Sequence, residues 1–209
     1  MSHNFLMERI SLREAAVLLD APEKTLRNEL DRVLRTTADN AGQGDARARL
    51  RFGVRELAYF EAKQLLESQG VSLDPEQRRE LFQLLTRRHT HVLGAWSLFG
   101  CRLALHGQVE ITMDMEKAWS ALFRTLRSYA RGEALIEQRS DIMGGTSVFR
   151  GTRIPVQQVV DYFRNRGSVE EAREDFPTLS EDALLYARIQ AAAGPGPGRP
   201  ARRISFTAA

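Results

Sequence analysis

Signals for the start of a helix recur along the chain, and each precedes a short apolar stretch that a glycine or proline soon interrupts. Serine or aspartate followed three residues later by glutamate or glutamine is the spacing of a capping box, in which each side chain bonds an amide that the helix leaves free. The pattern predicts a mainly α-helical fold of short helices joined by tight turns, with short β-hairpins between some of them. The predicted boxes are Ser11 with Glu14, Asp74 with Gln77, and Ser168 with Glu171, and Ser180 caps the last helix.

Composition restricts the class of protein. With 209 residues and 43% hydrophobic content, the chain can form one large domain or two to three small ones. The net charge of +3 is small, so local charge clusters say more about partners than the total does. Cys101 is the one cysteine, which suits a reducing compartment. The most apolar stretch, Val92 to Leu105, contains Arg102 and is too short to span a bilayer, and the first residues show no signal-peptide pattern. We expect a soluble cytoplasmic protein with no membrane contact.

Two amphipathic helices with a tight turn between them are predicted near the start of the chain. The residues from Asp20 to Pro22 break the first helix. The apolar positions at helical spacing are Leu12, Ala15, Ala16 and Leu19, then Leu26, Leu30, Val33 and Leu34. This is a helix-turn-helix pattern, whose second helix presents side chains that can reach phosphates and base edges. These candidate DNA-binding residues are Lys24, Thr25, Arg27, Asn28 and Arg32.

A basic segment, "RARLRF", follows a loop after this pattern. Its strict alternation places Arg47, Arg49 and Arg51 on one face of a predicted strand. Such a strand can be a wing that lies along a phosphate backbone, or an ordinary edge strand protected by charge. The next predicted helix, residues 54–69, ends at Gly70. Residues 8–70 resemble a MerR-like winged helix, so the first predicted domain is a DNA-binding unit at residues 1–70.

Residues 71–137 form a predicted middle region of helices and a β-hairpin that connects domains or supports dimerisation. A helix after the Asp74 cap carries Leu81, Leu84, Leu85 and Val92, and a later one carries Trp119, Leu122, Phe123 and Leu126 until Gly132 stops it. The hairpin between them has alternating Val109, Ile111 and Met113. His89 and His91 are expected to be exposed, because positions two apart on a helix diverge, and Cys101 is expected to be a small buried residue.

A glycine-rich segment, "GGTSVFRGTRIPV", begins at Gly144 and could suggest a phosphate-binding loop. It lacks the spacing of a P-loop, because Thr152 follows Gly151 where a lysine is needed, and it contains no dinucleotide fingerprint. The alternative is a short strand at residues 147–149 between flexible turns, followed by a helix that Pro155 starts. A nucleotide-binding enzyme built on this segment is therefore a weaker alternative, since the chain shows no catalytic pair at chemical spacing.

Three short helices then form a predicted helix-turn-helix-like domain at residues 138–193, with an acidic surface that would repel DNA. Residues 138–190 closely resemble a family of small domains of unknown function whose members occur as VapB-type antitoxins of toxin–antitoxin pairs. The matching positions are Gly144, Gly145, Arg150, Gly151, Thr152, Arg153, Ile154, Pro155, Val156, Gly167, Ser168, Pro177, Leu179 and Ser180. The resemblance implies a homodimeric, non-enzymatic antitoxin without cofactor or metal. It gives a structural or dimer role to Gly144, Gly145, Arg150, Gly151, Thr152, Arg153 and Pro155.

The tail at residues 194–209 is rich in glycine and proline and cannot form a core of its own. It can be a frayed end or a peptide that folds on a partner. In such families the partner is typically a PIN-like ribonuclease toxin, whose metal-holding carboxylates would attract arginines. The candidate toxin-binding residues are Arg199, Arg202, Arg203, Ile204 and Phe206.

The sequence taken as a whole predicts a type II antitoxin. It would neutralise a PIN-like ribonuclease by direct binding and repress its own operon by binding operator DNA through the winged helix. The alternative is a MerR-like transcriptional regulator without a toxin partner, and the identity of the neighbouring gene would distinguish the two.

Overall fold

The structure, a computed structural model, describes residues 10–34, 51–87, 89–108, 110–138, 145–165 and 167–194. Over these residues the chain is mainly helical and carries small antiparallel sheets, as the sequence predicted. Within the same residues, none of the helices combines the length and the apolar character needed to cross a bilayer.

The elements follow one another along the chain. The helices are α1 (Leu12–Leu18), α2 (Glu23–Glu29), α3 (Val54–Ser68), α4 (Pro75–Thr86), α5 (Glu116–Ala134), α6 (Val156–Arg164), α7 (Val169–Asp175) and α8 (Glu181–Ala193). The strands are β1 (Ile10–Ser11), β2 (Arg51–Phe52), β3 (Val92–Leu93), β4 (Trp96–Phe99), β5 (Arg102–Leu105), β6 (Ile111–Asp114), β7 (Ile136–Glu137) and β8 (Val148–Phe149). A π-helical turn, Leu30–Leu34, continues α2.

The predicted capping residues form their bonds. The boxes at Ser11, Asp74 and Ser168 are each closed in both directions, and Ser180 accepts a bond from the amide of Ala183. Pro75 occupies the first turn of α4, where a proline is tolerated because it lacks only an amide that the helix leaves unbonded. The sequence therefore predicted where these helices begin.

The middle region contains more sheet than was predicted. Strands β3 to β6 form an antiparallel sheet in chain order, of which only the β5–β6 hairpin was predicted. Val92 was predicted on a helix, but α4 ends at Thr86 and Val92 lies on β3 with 57% of its surface exposed. Trp96 is buried completely and anchors β4 against the core.

Two other predictions for the middle region were wrong. Gly132 does not stop a helix, because α5 continues to Ala134 with Gly132 buried inside it. Cys101 was expected to be buried but is exposed, since it lies in the turn between β4 and β5. His89 and His91 are exposed, as predicted, although they lie in the loop after α4 and not on a helix.

The buried apolar residues form two main clusters. The first runs from Ile10 to Leu126 and includes side chains from both the predicted DNA-binding unit and the middle region. The second, from Phe149 to Ala187, lies among β8, α6, α7 and α8. Helix α8 also packs against α1 and α5, so it joins the two clusters. The winged arrangement itself stays a prediction, because residues 35–50 lie outside the described part of the chain.

Candidate nucleic-acid interface

Helix α2 separates a cationic exposed face from a buried one. Leu26 is completely buried and Glu29 is 7% exposed, and both face the core. The predicted DNA-binding side chains lie on the other side, where Lys24, Thr25, Arg27 and Arg32 are exposed and Asn28 is half-buried. The structure therefore brings these five predicted residues together on one surface.

The turn between α1 and α2 fixes how this surface is presented. Asp20 has φ +47°, and its amide donates to the carbonyl of Val17 at 3.3 Å. The amide of Ala21 donates to the carbonyl of Ala16 at 2.9 Å, which completes a Schellman motif with aspartate in the position that glycine usually takes. Pro22 then precedes α2 with φ −62° and ψ 134°, so the chain leaves one helix and enters the next within four residues.

Arg51 is the one arginine of the predicted wing that the structure describes. It is exposed on β2, while its neighbour Phe52 is 2% exposed and packs edge-on against Phe60 with ring centroids 5.8 Å apart. The register pairs Arg51 with Ser11, directly before α1. Arg47 and Arg49 lie outside the described residues. The predicted alternation holds for the described end of this strand.

Two acidic side chains limit the positive surface, Glu23 and the exposed Asp31 in the turn that continues α2. Glu23, in the first turn of α2, lies 3.6 Å from the guanidinium of Arg13, with both side chains about two-fifths exposed (38% and 42%). An exposed pair of this kind contributes little stability. The pair brings Arg13 of α1 beside the first turn of α2 but, because its two charges are opposite, it adds no net positive charge to this surface.

A buried polar cluster supports α2 from behind. The hydroxyl of Tyr59 on α3 donates to Glu29 Oε1 at 2.7 Å, and the guanidinium of Arg78 on α4 donates to Oε2 at 2.9 Å. Burial, followed by the nearby charge of Glu29, raises the pKa of Tyr59 well above its usual range. Sequence reasoning missed this cluster, because nothing local indicates that Glu29 turns inward.

A second polar cluster joins α1 to the far end of the chain. Glu14 Oε2 accepts from the Ser11 amide at 2.7 Å, and Oε1 accepts from the Tyr129 hydroxyl at 2.7 Å and from Gln190 Nε2 at 2.6 Å. Gln190 Nε2 also donates to the Tyr129 hydroxyl at 2.8 Å. Burial raises the pKa of Glu14, but the bonds from Ser11, Tyr129 and Gln190 outweigh it, so the net pKa lies below the usual 4.5.

The contact between α5 and α8 is close because Gly132 has no side chain. A methyl group there would collide with the carbonyl oxygen of Asp182 and lie 2.7 Å from the Tyr186 Cβ. Beside it, Arg131 holds Asp182 with two bonds, at 2.6 and 3.2 Å, and the rings of Tyr129 and Tyr186 stack 5.2 Å apart. Helix α8 of the third unit therefore packs directly against α5, and it also contacts α1, the helix that precedes α2.

The glycine-rich segment folds as a strand and a turn, as predicted. Val148 and Phe149 are buried on β8, and β8 pairs with β7. The Thr152 amide donates to the Phe149 carbonyl at 3.0 Å across a turn in which Gly151 has φ +77°, a conformation that favours glycine. The Thr152 hydroxyl donates to the same carbonyl at 2.8 Å. These groups satisfy one another within the turn.

The other predicted structural residues of this segment have varied positions. Arg150 and Arg153 are exposed, and Gly145 has φ +85°. Pro155 precedes α6 as its N-terminal cap residue. Gly144 lies outside the described residues, as do all five candidate toxin-binding residues, Arg199, Arg202, Arg203, Ile204 and Phe206. Their roles in a dimer or a toxin complex stay predictions.

The third unit also carries an acidic surface. An open cleft of about 480 Å³ is lined by Tyr162, Asn165, Gly167, Glu171, Glu174 and Asp175. Its carboxylates face the solvent where a DNA phosphate would be repelled. This cleft is therefore a poorer place for a nucleic-acid backbone than the exposed side of α2 and Arg51.

Comparison with known proteins identifies one segment of the chain. Residues 136–189 match a family model described as "Protein of unknown function (DUF433)", which overlaps the segment whose resemblance to such a family was noted in the sequence. The "Uncharacterized protein y4eO" of Sinorhizobium fredii (strain NBRC 101917 / NGR234) is 34% identical over 94 residues. That alignment covers 45% of this chain and 42% of the relative, so this chain spans less than half of the relative's length. No solved structure matches the chain. The third unit is therefore similar to a domain family without an assigned activity.

Proposed function

We propose that this chain is a DNA-binding antitoxin that represses its own operon and neutralises a PIN-like ribonuclease. The observation that carries the DNA-binding part is the cationic exposed face of α2, which lies opposite a buried face held by Leu26 and Glu29. The proposal includes a homodimer, as the resemblance of the third unit implies, and it needs no cofactor.

The exposed side chains of α2 have the chemistry that base recognition requires. The guanidinium of Arg27 can bond a guanine edge with two parallel bonds, and the amide of Asn28 can do the same with adenine. Lys24 and Thr25, in the first turn, and Arg51 on β2 are suited to phosphate oxygens, which position a protein without reading sequence. The two groups of residues should therefore have separable effects on affinity and on sequence preference.

Binding to DNA duplexes tests this division. Arg51→Ala should weaken binding to every sequence and reduce the salt dependence by about one phosphate contact. Arg27→Ala should instead reduce the preference for the selected duplex over a shuffled one by about 1–3 kcal/mol. Arg164→Ala on α6 is the matched control, because it removes the same charge from the third unit. Unchanged affinity in an Arg27, Arg51 double variant would refute the interface.

The toxin-binding part of the proposal rests on the resemblance of the third unit and on the charge of the tail. A nuclease that uses metal ions must keep carboxylates open to its substrate, and arginines form strong paired bonds with carboxylates. Arg199, Arg202 and Arg203 would supply those bonds, and Ile204 and Phe206 would supply apolar contacts. The tail cannot fold alone, so a partner must offset the cost of ordering it.

Co-expression with the product of the neighbouring gene tests this part. Deletion of residues 195–209 should abolish neutralisation and leave DNA binding intact. Charge reversal at Arg199, Arg202 and Arg203 should release nuclease activity more than alanine at Ser205 or Thr207. If the truncated chain still protects cells, the tail is not the inhibitory contact. A chain that binds DNA but retains no neighbouring product would instead be a regulator without a toxin.

A further inference from the structure

Glu29 is a carboxylate on a face of α2 where an apolar side chain would ordinarily pack. It is 7% exposed, and each of its oxygens has its own donor, the Tyr59 hydroxyl at 2.7 Å and the Arg78 guanidinium at 2.9 Å. A buried carboxylate that loses its partners is strongly unfavourable. Both oxygens are bonded only when α2 has its present rotation, so the cluster selects one orientation of the helix.

Arg78 is itself held in place. It lies in the first turns of α4, behind the capping box of Asp74 and Gln77, and its Nε donates to the Asp74 carbonyl at 3.4 Å. The indole N–H of Trp96 on β4 donates to the Gln77 carbonyl at 2.9 Å. A continuous series of bonds therefore runs from the sheet through α4 to α2.

We infer that Arg78, which lies outside the helix-turn-helix in sequence, is a positioning residue for DNA recognition that acts through Glu29 on the rotation of α2. The inference rests on the proposed DNA-binding function. Glu29 is the last residue of α2 before the π-helical turn Leu30–Leu34, where the regular α-helical bonding changes. Arg27 and Asn28 lie directly before Glu29, and hydrogen bonds to base edges tolerate little displacement. Holding Glu29 therefore sets where these two side chains meet a base.

The test is equilibrium binding of Arg78→Met and Arg79→Met to two probes. One probe is a duplex enriched by the wild-type chain from a random-sequence library, and the other is a shuffled duplex of the same composition. Both variants lose one charge from α4, and both arginines are half-buried. Arg78→Met should bind the enriched duplex about tenfold more weakly than Arg79→Met, with equal binding to the shuffled duplex. Arg78→Lys, which keeps a donor for Glu29, should recover most of the lost affinity.

Equal binding of the enriched duplex by folded Arg78→Met and Arg79→Met would overturn the positioning role. If Arg78→Met does not fold, Tyr59→Phe replaces it, because that change removes one donor to Glu29 and retains the ring. A loss of about threefold on the enriched duplex alone would then support the inference, and no loss would overturn it. A wild-type chain that enriches no duplex would refute the proposed DNA-binding function, which separates that failure from failure of the positioning role.

Discussion

Two capping boxes with the same sequence pattern serve different purposes in this molecule. In the first, the Ser11 amide donates to Glu14 at 2.7 Å, and in the second the Ser168 amide donates to Glu171 at 3.0 Å. Glu171 is exposed and has a lowered pKa because the Ser168 amide and hydroxyl bond it. Glu14 is half-buried and also holds side chains from α5 and α8.

The difference shows that the local environment, and not the motif, decides what a capping residue does. Both boxes satisfy amides at the start of a helix. The glutamate of the first box lies where α8 packs against α1 and α5, and it accepts bonds from both α5 and α8. Because Gly132 has no side chain, α8 packs closely against α5, and Gln190 can reach Glu14. Substitutions at Gly132 should therefore bring the stabilising contribution of Glu14 closer to that of Glu171.

The largest effect on stability is expected at Gly132, where α8 packs against α5. Gly132→Val should lower the free energy of unfolding by about 3 kcal/mol, because its side chain meets the backbone of Asp182, which cannot move away without displacing α8. Ala121→Val, at an exposed position of the same helix, is the control and should cost only the difference in helix propensity, less than about 0.7 kcal/mol. Urea denaturation measures both. Equal stability of the two variants would show that α8 does not sit on α5 in this way.

A smaller effect should separate the two glutamates. Glu14→Ala should lower the free energy of unfolding by about 2 kcal/mol, because the Tyr129 hydroxyl and Gln190 lose a charged acceptor. Glu171→Ala removes only the cap and should cost less. In the Gly132→Val background, the cost of Glu14→Ala should fall toward that of Glu171→Ala, as a double-mutant cycle would reveal. If the destabilisation caused by Glu14→Ala is the same in that background, the bond between Glu14 and α8 does not depend on the close packing at Gly132.

The smallest effect concerns pH. The folded pKa of Glu14 lies below 4.5, so its contribution is fully present above that pH and is lost as the pH falls through the folded value. Glu14→Gln should therefore reduce the decline in stability as the pH falls below 4.5, measured by urea denaturation at each pH. Tyr129→Phe removes one of the bonds that lower the folded pKa of Glu14, so the decline should become smaller and end at a higher pH. An unchanged decline in both variants would contradict this account.

The sequence predicted what depends on neighbours along the chain. The capping boxes, the turn at Asp20, the strand at Val148 and the exposed arginine face of α2 all follow from residues a few positions apart. What it missed depends on distant partners. The bonds of Glu14 join residues separated by 115 and 176 positions, and the bond from Arg78 to Glu29 spans 49.

Gly132 and the strands around Trp96 are two further features that local sequence patterns did not predict. Gly132 ordinarily signals the end of a helix, but here it marks the closest approach of two helices, which only the packed structure reveals. The strands around Trp96 are short and were hidden within one apolar stretch, so alternation gave too weak a signal. The first feature depends on the packing of two helices, and the second on strands too short to show a clear alternation.

The packing of α8 against α1 has a consequence for how the molecule unfolds. A family model that ends at residue 189 suggests a module that could be detached, yet Gln190 and the rest of α8 pack against α1, the first helix of the described residues. Amide hydrogens of α1 should then exchange with solvent in the same cooperative event as those of α8, although they lie at opposite ends of the sequence. On this expectation, the cooperative unfolding unit extends beyond the segment that the domain family covers.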